Sequence, residues 1–177
     1  MDRKSFFHQA VFSTGAIVFA PWVVTEKYPE TSPAEKEGLF APDPLPAEKV
    51  KDFVVAGHGN IDKARQLLTE FPSLLYATWD WGGGDFETAL EGAGHVGNKE
   101  IANYLIDKGA RTNLFVLTML GKTGIVKSYL DAYPAYLAAK GPHGFTLLHH
   151  AQKGGEEAKE LVDYLQSKGL KETKTSL

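Results

Sequence analysis

The sequence predicts an all-α protein in which about four helix-turn-helix repeats stack as a solenoid. One observation is the segment 84–113, where an apolar helix starts at Thr88 and must end at Gly97, and a second amphipathic helix runs on to Gly109. A single helix pair of this kind cannot bury its apolar stripe, so neighbours with the same pattern are required. The other observation is that the chain contains such neighbours.

The helix pattern of 84–113 recurs three more times in the chain. The first three repeats place Gly59, Gly97 and Gly121 at the end of their first helix, and apolar residues follow at helical spacing in the second. A further copy begins at Thr146 and has a two-residue insertion before its second helix. Four units exceed the minimum of about three that stacking requires.

The segment 84–113 also resembles an ankyrin repeat. The matching residues are Thr88-x-Leu90 and Gly97-Asn98-x-Glu100-Ile101-Ala102-x-x-Leu105-Ile106-x-x-Gly109-Ala110-x-x-Asn113. Ala89 and Glu91 stand where the family has proline and histidine, whereas the fourth copy carries the family histidine as His149. The resemblance covers residues 48–170 and implies a repeat domain that binds another protein, with His149 in a structural role.

The composition narrows the possible functions. A chain of 177 residues with 43% hydrophobic residues has room for one modest domain plus extensions. Its 19 basic and 22 acidic residues give a net charge of −3, which argues against a nucleic-acid partner. The absence of cysteine excludes disulfides, thiolate metal sites and cysteine nucleophiles.

Residues 1–24 predict an export signal or a membrane anchor. Arg3-Lys4 precede an apolar run from Ala10 to Val24, which is the order found in signal peptides. The start also resembles a twin-arginine export signal, with Lys4 in place of the second arginine. We therefore expect export to the periplasm of a bacterium. An uncleaved inner-membrane anchor and a packed cytosolic helix are the alternatives, because the apolar segment is nearly long enough to cross a bilayer.

Polar segments flank the repeats on both sides. Residues 25–47 hold five of the nine prolines and few large apolar groups, so they predict an extended linker. Residues 171–177 are polar and predict a disordered tail.

The loop between the first two repeats is a candidate partner-binding surface. It is longer than the loop between the last two repeats, which holds another candidate, His143. Exposed aromatic side chains beside a flexible glycine tip are typical of interfaces. The alternative is that one of its two tryptophans covers the first repeat. The candidates in the longer loop, which flank Gly82-Gly83-Gly84, are Trp79, Asp80, Trp81 and Asp85.

The resemblance implies a second candidate surface along the first helices of the repeats. The positions that face outward in the ankyrin pattern give His58, His95, Val96, Met119, Leu120 and His150 as partner-binding candidates. Apolar residues are unusual at solvent-facing positions, and methionine adapts to varied partners. The alternative is that Met119 and Leu120 are packed between helices.

The sequence shows no established catalytic motif. It lacks a phosphate-binding loop, a His-Glu-x-x-His pattern and a nucleophile elbow. His149 and His150 point about 100° apart on a helix, and adjacent helices lie about 8–10 Å apart, so we expect His58, His95 and His150 not to share a metal ion. We therefore expect a non-catalytic protein-binding module without cofactor or metal. A small-ligand or metal-binding protein, or an enzyme using the groove histidines, is the alternative.

Overall fold

A computed structural model describes residues 43–177, which are mostly helical, as the predicted all-α class requires. The predicted export segment 1–24 and the linker up to residue 42 lie outside the described residues. None of the described helices has the length and apolar character needed to cross a membrane. The eight α-helices in residues 43–177 are α1 Ala47–Gly57, α2 Ile61–Glu70, α3 Ala89–Val96, α4 Lys99–Asp107, α5 Leu114–Met119, α6 Thr123–Ala132, α7 Leu147–Gly154 and α8 Lys159–Ser167.

The helices form four consecutive pairs whose ends follow the predicted signals. Thr88 caps α3 in a capping box with Glu91, and Asn98 caps α4 by accepting the Ile101 amide. Gly97 ends α3 in the left-handed conformation, with φ of 82°. The predicted boundaries of this second pair are therefore confirmed to within a residue or two. Short 3-10 turns follow α2 and α6 at Pro72–Tyr76 and Pro134–Ala138, where proline ends each helix.

The first helices of the pairs stack directly on one another, α1 on α3, α3 on α5 and α5 on α7. Glycines allow this close approach. A Cβ atom on Gly57 would overlap the backbone carbonyl of Ala89, and one on Gly154 would overlap the carbonyl of Met119. The faces that carry these glycines therefore lie between helices.

This stacking overturns part of the predicted groove. Met119 is 0% exposed and Leu120 is 7% exposed, so the prediction that they face a partner is wrong, and the alternative of packing between helices is correct. His150 is buried too, with Nδ1–H donating to the Thr146 carbonyl at 2.8 Å, and its burial lowers the pKa to about 4. Of the four groove candidates Val96, Met119, Leu120 and His150, only Val96 is exposed, at 38%.

A two-stranded antiparallel hairpin projects between the first two helix pairs. Its strands are β1 Thr78–Asp80 and β2 Phe86–Thr88, and Trp79 lies opposite Glu87 in the register. The sequence predicted a loop here. The three glycines between the strands, Gly82-Gly83-Gly84, have positive φ values, which glycine adopts without steric cost.

The C-terminal residues are held against the last helix pair. Thr175 donates its amide to the Gly144 carbonyl at 2.9 Å, and the Thr146 amide donates to Thr173 O at 3.0 Å. Lys140 Nζ also reaches Ser176 O at 2.6 Å. The prediction of a disordered tail at 171–177 is therefore corrected, because extended backbone pairs with the segment that precedes α7.

We predict that Gly57→Ala destabilises the protein by about 1–3 kcal/mol, because the added methyl group overlaps a backbone atom that cannot rotate away. Gly124→Ala is the matched control. Its site is open and lies within α6, so we expect it to be neutral or to stabilise by roughly 0.5–1 kcal/mol. Urea unfolding of both variants measures the difference, and equal midpoints would contradict the stacking argument.

Candidate metal centre

Four potential metal ligands converge at the base of the hairpin. They are His58, Glu87, His95 and His143, and one donor atom of each lies within 4.8 Å of the others. His58 follows α1, Glu87 lies in β2, His95 is in the last turn of α3, and His143 is in the 3-10 turn Pro142–Gly144. The cluster therefore joins parts of the chain that are far apart in sequence.

Glu87 is at the centre of the cluster and is fully buried. Its Oε2 accepts a hydrogen bond from Trp81 Nε1–H at 2.8 Å. Its Oε1 lies 2.9 Å from His95 Nδ1 and 3.5 Å from His58 Nε2. The 2.9 Å contact lacks the geometry of a hydrogen bond. Neither Glu87 Oε1 nor His95 Nδ1 has a hydrogen-bond partner among residues 43–177. Buried polar atoms without partners are rare, so these two atoms require an explanation.

Opposing influences act on the Glu87 carboxyl group. Burial raises its pKa, but the side-chain contact with His95, the electrostatic interactions with His58 and His95, and the bond from Trp81 together hold the pKa below its usual value. Glu87 is therefore an ionised carboxylate in a buried position. A buried anion needs a cation close to it.

In two of the three imidazoles, the ring nitrogen that does not face Glu87 is already hydrogen-bonded. His58 Nδ1–H donates to the Val54 carbonyl at 3.0 Å, which leaves Nε2 facing Glu87. His143 Nδ1–H donates to Asp85 Oδ2 at 2.6 Å, which leaves its Nε2 3.5 Å from Glu87 Oε2. Metal-binding histidines almost always hold their second nitrogen in this way, because that bond fixes the tautomer and the ring orientation.

Asp85 fixes the position of His143. Besides the ring contact, Asp85 Oδ1 accepts the backbone N–H of His143 at 2.8 Å. Burial alone raises the pKa of Asp85, but the bonds and charge of His143 lower it below its ordinary value.

His143 also has an unusual backbone conformation. Its φ is 60°, and it is the only residue other than glycine with positive φ in residues 43–177. Such a conformation costs on the order of 1–3 kcal/mol and persists where the surroundings require it, often at functional sites. Here it holds the ring in the cluster.

The donor set fits Zn²⁺ best among common metal ions. Imidazole nitrogen suits zinc, copper, iron and nickel, and a carboxylate is a frequent fourth ligand of zinc. Bonds of about 2.0–2.2 Å in a tetrahedron place the donors about 3.3 Å apart. The separations from Glu87 Oε1 of 2.9 Å and 3.5 Å bracket that value.

The structure brings together some of the predicted site residues and separates others. His58, His95 and His143 share the cluster, with Asp85 and Trp81 contacting it. The expectation that histidines of adjacent first helices lie too far apart is wrong for the first two, whose ring centroids are 4.8 Å apart. Trp79 is half-buried beside Lys51, Asp80 and Val96 are exposed, and Met119, Leu120 and His150 are buried elsewhere.

Sequence reasoning missed Glu87. A signal was present, because histidine occupies the end of the first helix in two successive repeats, at His58 and His95, and a carboxylate precedes the cap of the second. Only the hairpin pairing shows that this carboxylate points inwards.

The comparisons give no relatives. No family model, no curated protein and no solved structure matches this chain.

We predict that Gly92→Ala weakens Zn²⁺ binding about tenfold or more, because a Cβ atom there would lie 2.9 Å from the His58 ring and displace it. Alanine suits the interior of α3, so the metal-free protein should lose little stability beyond the His58–Val54 hydrogen bond. Competition with a chromophoric chelator measures the affinity, with Gly124→Ala as the control. Unchanged affinity in Gly92→Ala would show that His58 is not a ligand.

Proposed function

We propose that this protein binds a divalent transition-metal ion, with Zn²⁺ the best fit, through His58, Glu87, His95 and His143. The observation that carries the proposal is the pair of buried atoms, Glu87 Oε1 and His95 Nδ1, that approach to 2.9 Å without forming a hydrogen bond. Both atoms have a lone pair available when the carboxyl group is ionised and Nδ1 carries no proton. An ion bound between them supplies the missing partner of each.

A buried ion pair between Glu87 and His95, without metal, explains less well why these two atoms lack hydrogen-bond partners. Transferring a carboxylate and an imidazolium out of water costs several kcal/mol per ion, and only excellent geometry offsets that cost. The Glu87–His95 contact lacks such geometry. A divalent ion instead satisfies the carboxylate and up to three neutral imidazoles at once.

The bound ion has a structural consequence for the repeat array. It links residues of the first two helix pairs to the turn that precedes the last pair. The four stacked pairs support the further proposal that the chain is an ankyrin-repeat solenoid, and a link of this kind between repeats suits a non-catalytic protein. Export to the periplasm stays a proposal that depends on residues 1–24, which lie outside the described residues.

We predict that the protein binds one equivalent of Zn²⁺ and that Glu87→Gln lowers the affinity at least about 100-fold, since the amide loses the charge that faces the ion. Isothermal titration measures both. Glu91→Gln is the matched control, because Glu91 is also a carboxyl group nearby and is partly buried. It is bound by Thr88 and Asn113 and offers no atom to the cluster. Absence of saturable binding, or equal affinities in the two variants, would refute the proposal.

A second proposed function is the binding of another protein or peptide, which the exposed side chains of the hairpin favour. Trp81 is 37% exposed and Phe86 is 56% exposed, and large aromatic side chains on a projecting element are typical interface anchors. The hairpin candidates Trp79, Asp80 and Asp85 lie beside them.

We expect Phe86→Ser to remove a partner captured from the native host, because it removes an exposed aromatic anchor. Ile125→Ser is the matched control, since Ile125 is also 56% exposed but lies on α6. Affinity capture followed by mass spectrometry compares the variants. A partner that survives Phe86→Ser and is lost in Ile125→Ser would place the interface on α6 instead.

A further inference from the structure

We propose that the metal ion keeps a solvent-facing coordination position and that this position takes a small carboxylate ligand. This inference rests on the proposed metal binding. It adds a ligand class to the site, because an ion that keeps a solvent-facing position binds a small ligand in addition to the four protein donors.

The cluster is buried on one side and open on the other. The side chains of Glu87 and His95 are 0% and 8% exposed, whereas those of His58 and His143 are 29% and 26% exposed. An ion held by all four therefore has protein behind it and solvent in front.

Glu87 offers Oε1 to the ion. Its Oε2 accepts the Trp81 Nε1–H bond at 2.8 Å, which favours coordination through Oε1. The closest donors to that oxygen are those of His95 and His58. These three donors form the tighter part of the set and match the two-histidine, one-carboxylate arrangement in which metals retain open positions.

His143 is less free to complete a closed tetrahedron. Its Nε2 lies 3.5 Å from Oε2, the oxygen that Trp81 holds, rather than beside Oε1. Asp85 holds both its backbone N–H and its Nδ1–H. His143 can therefore contribute a fourth bond at the solvent side while space remains next to it.

The charge around the opening favours an anion. A divalent ion with one bound carboxylate and neutral imidazoles carries one uncompensated positive charge. Lys174 Nζ lies 4.9 Å from the centroid of the Phe145 ring, which itself lies 6.2 Å from the His143 ring. On the other side, Lys51 lies over Trp79, next to Trp81. Asp85, which is bound to His143, and Glu91, which interacts electrostatically with Glu87, are acidic groups close to this region.

A small carboxylate fits these conditions better than a larger or neutral ligand. One carboxylate oxygen replaces a water molecule on the ion, so no covalent bond of the protein changes. The Trp81 ring, 5.9 Å from the His143 ring, gives the opening an apolar wall for the rest of the ligand. A free carboxylate and the acidic side chain of a peptide share this chemistry.

The test uses the full chain loaded with Co²⁺, whose visible absorption reports the number and kind of its ligands. Acetate is added at constant ionic strength, with perchlorate as an anion that does not coordinate. We expect acetate to change the Co²⁺ bands saturably and perchlorate to leave them unchanged. Lys174→Met should weaken acetate binding about fivefold by removing a nearby positive charge, while Co²⁺ affinity stays the same.

The outcomes separate this inference from the proposed function. A chain that binds Co²⁺ with bands that acetate does not alter would overturn the open position and leave metal binding intact. A chain that binds no Co²⁺ or Zn²⁺ would overturn both. A short acidic peptide, tested at the same carboxylate concentration, then distinguishes a free ligand from a protein partner, since tighter binding of the peptide would favour the latter.

Discussion

The close stacking of the first helices is the constraint on which the rest of the structure depends. Gly57 lies directly against the backbone of Ala89, so α1 and α3 approach more closely than helices separated by larger side chains can. The end of α1 then meets the end of α3, and the His58 ring lies over Gly92 beside His95. Two histidines near the ends of successive first helices thus become a pair of neighbouring donors.

Stacking supplies two histidines, and the other two donors come from irregular parts of the chain. Glu87 reaches the pair because the hairpin turns the chain back onto the ends of α1 and α3. His143 reaches it because a left-handed backbone at His143 and Gly144 bends the turn before α7. A regular repeat would have neither feature, and an apolar residue could replace Glu87 with less desolvation cost. The departures from regular repeat geometry are therefore concentrated where the donors meet.

The features that were predicted correctly from the sequence depend on local interactions. The predictions that were wrong concern features that depend on packing between elements. Gly97 and the cap at Asn98 mark helix ends through their own backbone preferences, so those boundaries were correct. The exposure of Met119 depends on how tightly α5 meets α7, which no pattern within one helix contains. The hairpin strands have three residues each, too few for an alternating pattern to be recognised. The position of His143 depends on a backbone conformation that sequence gives no reason to expect at a histidine.

The alternation of side chains along β2 connects the metal site with the proposed protein-binding surface. Successive residues of a strand point to opposite faces, so Glu87 is fully buried while Phe86 before it is exposed. A shift of the register by one residue would exchange these positions, moving the carboxylate into solvent and the aromatic ring inwards. A metal ion that holds Glu87 therefore also holds Phe86 outwards, and it does so without touching Phe86. Trp81 strengthens this connection, because its indole N–H binds Glu87 while much of its ring stays exposed. The two proposed functions thus depend on one element, the hairpin, and the proposed ion would stabilise the register that determines which aromatic surface a partner meets.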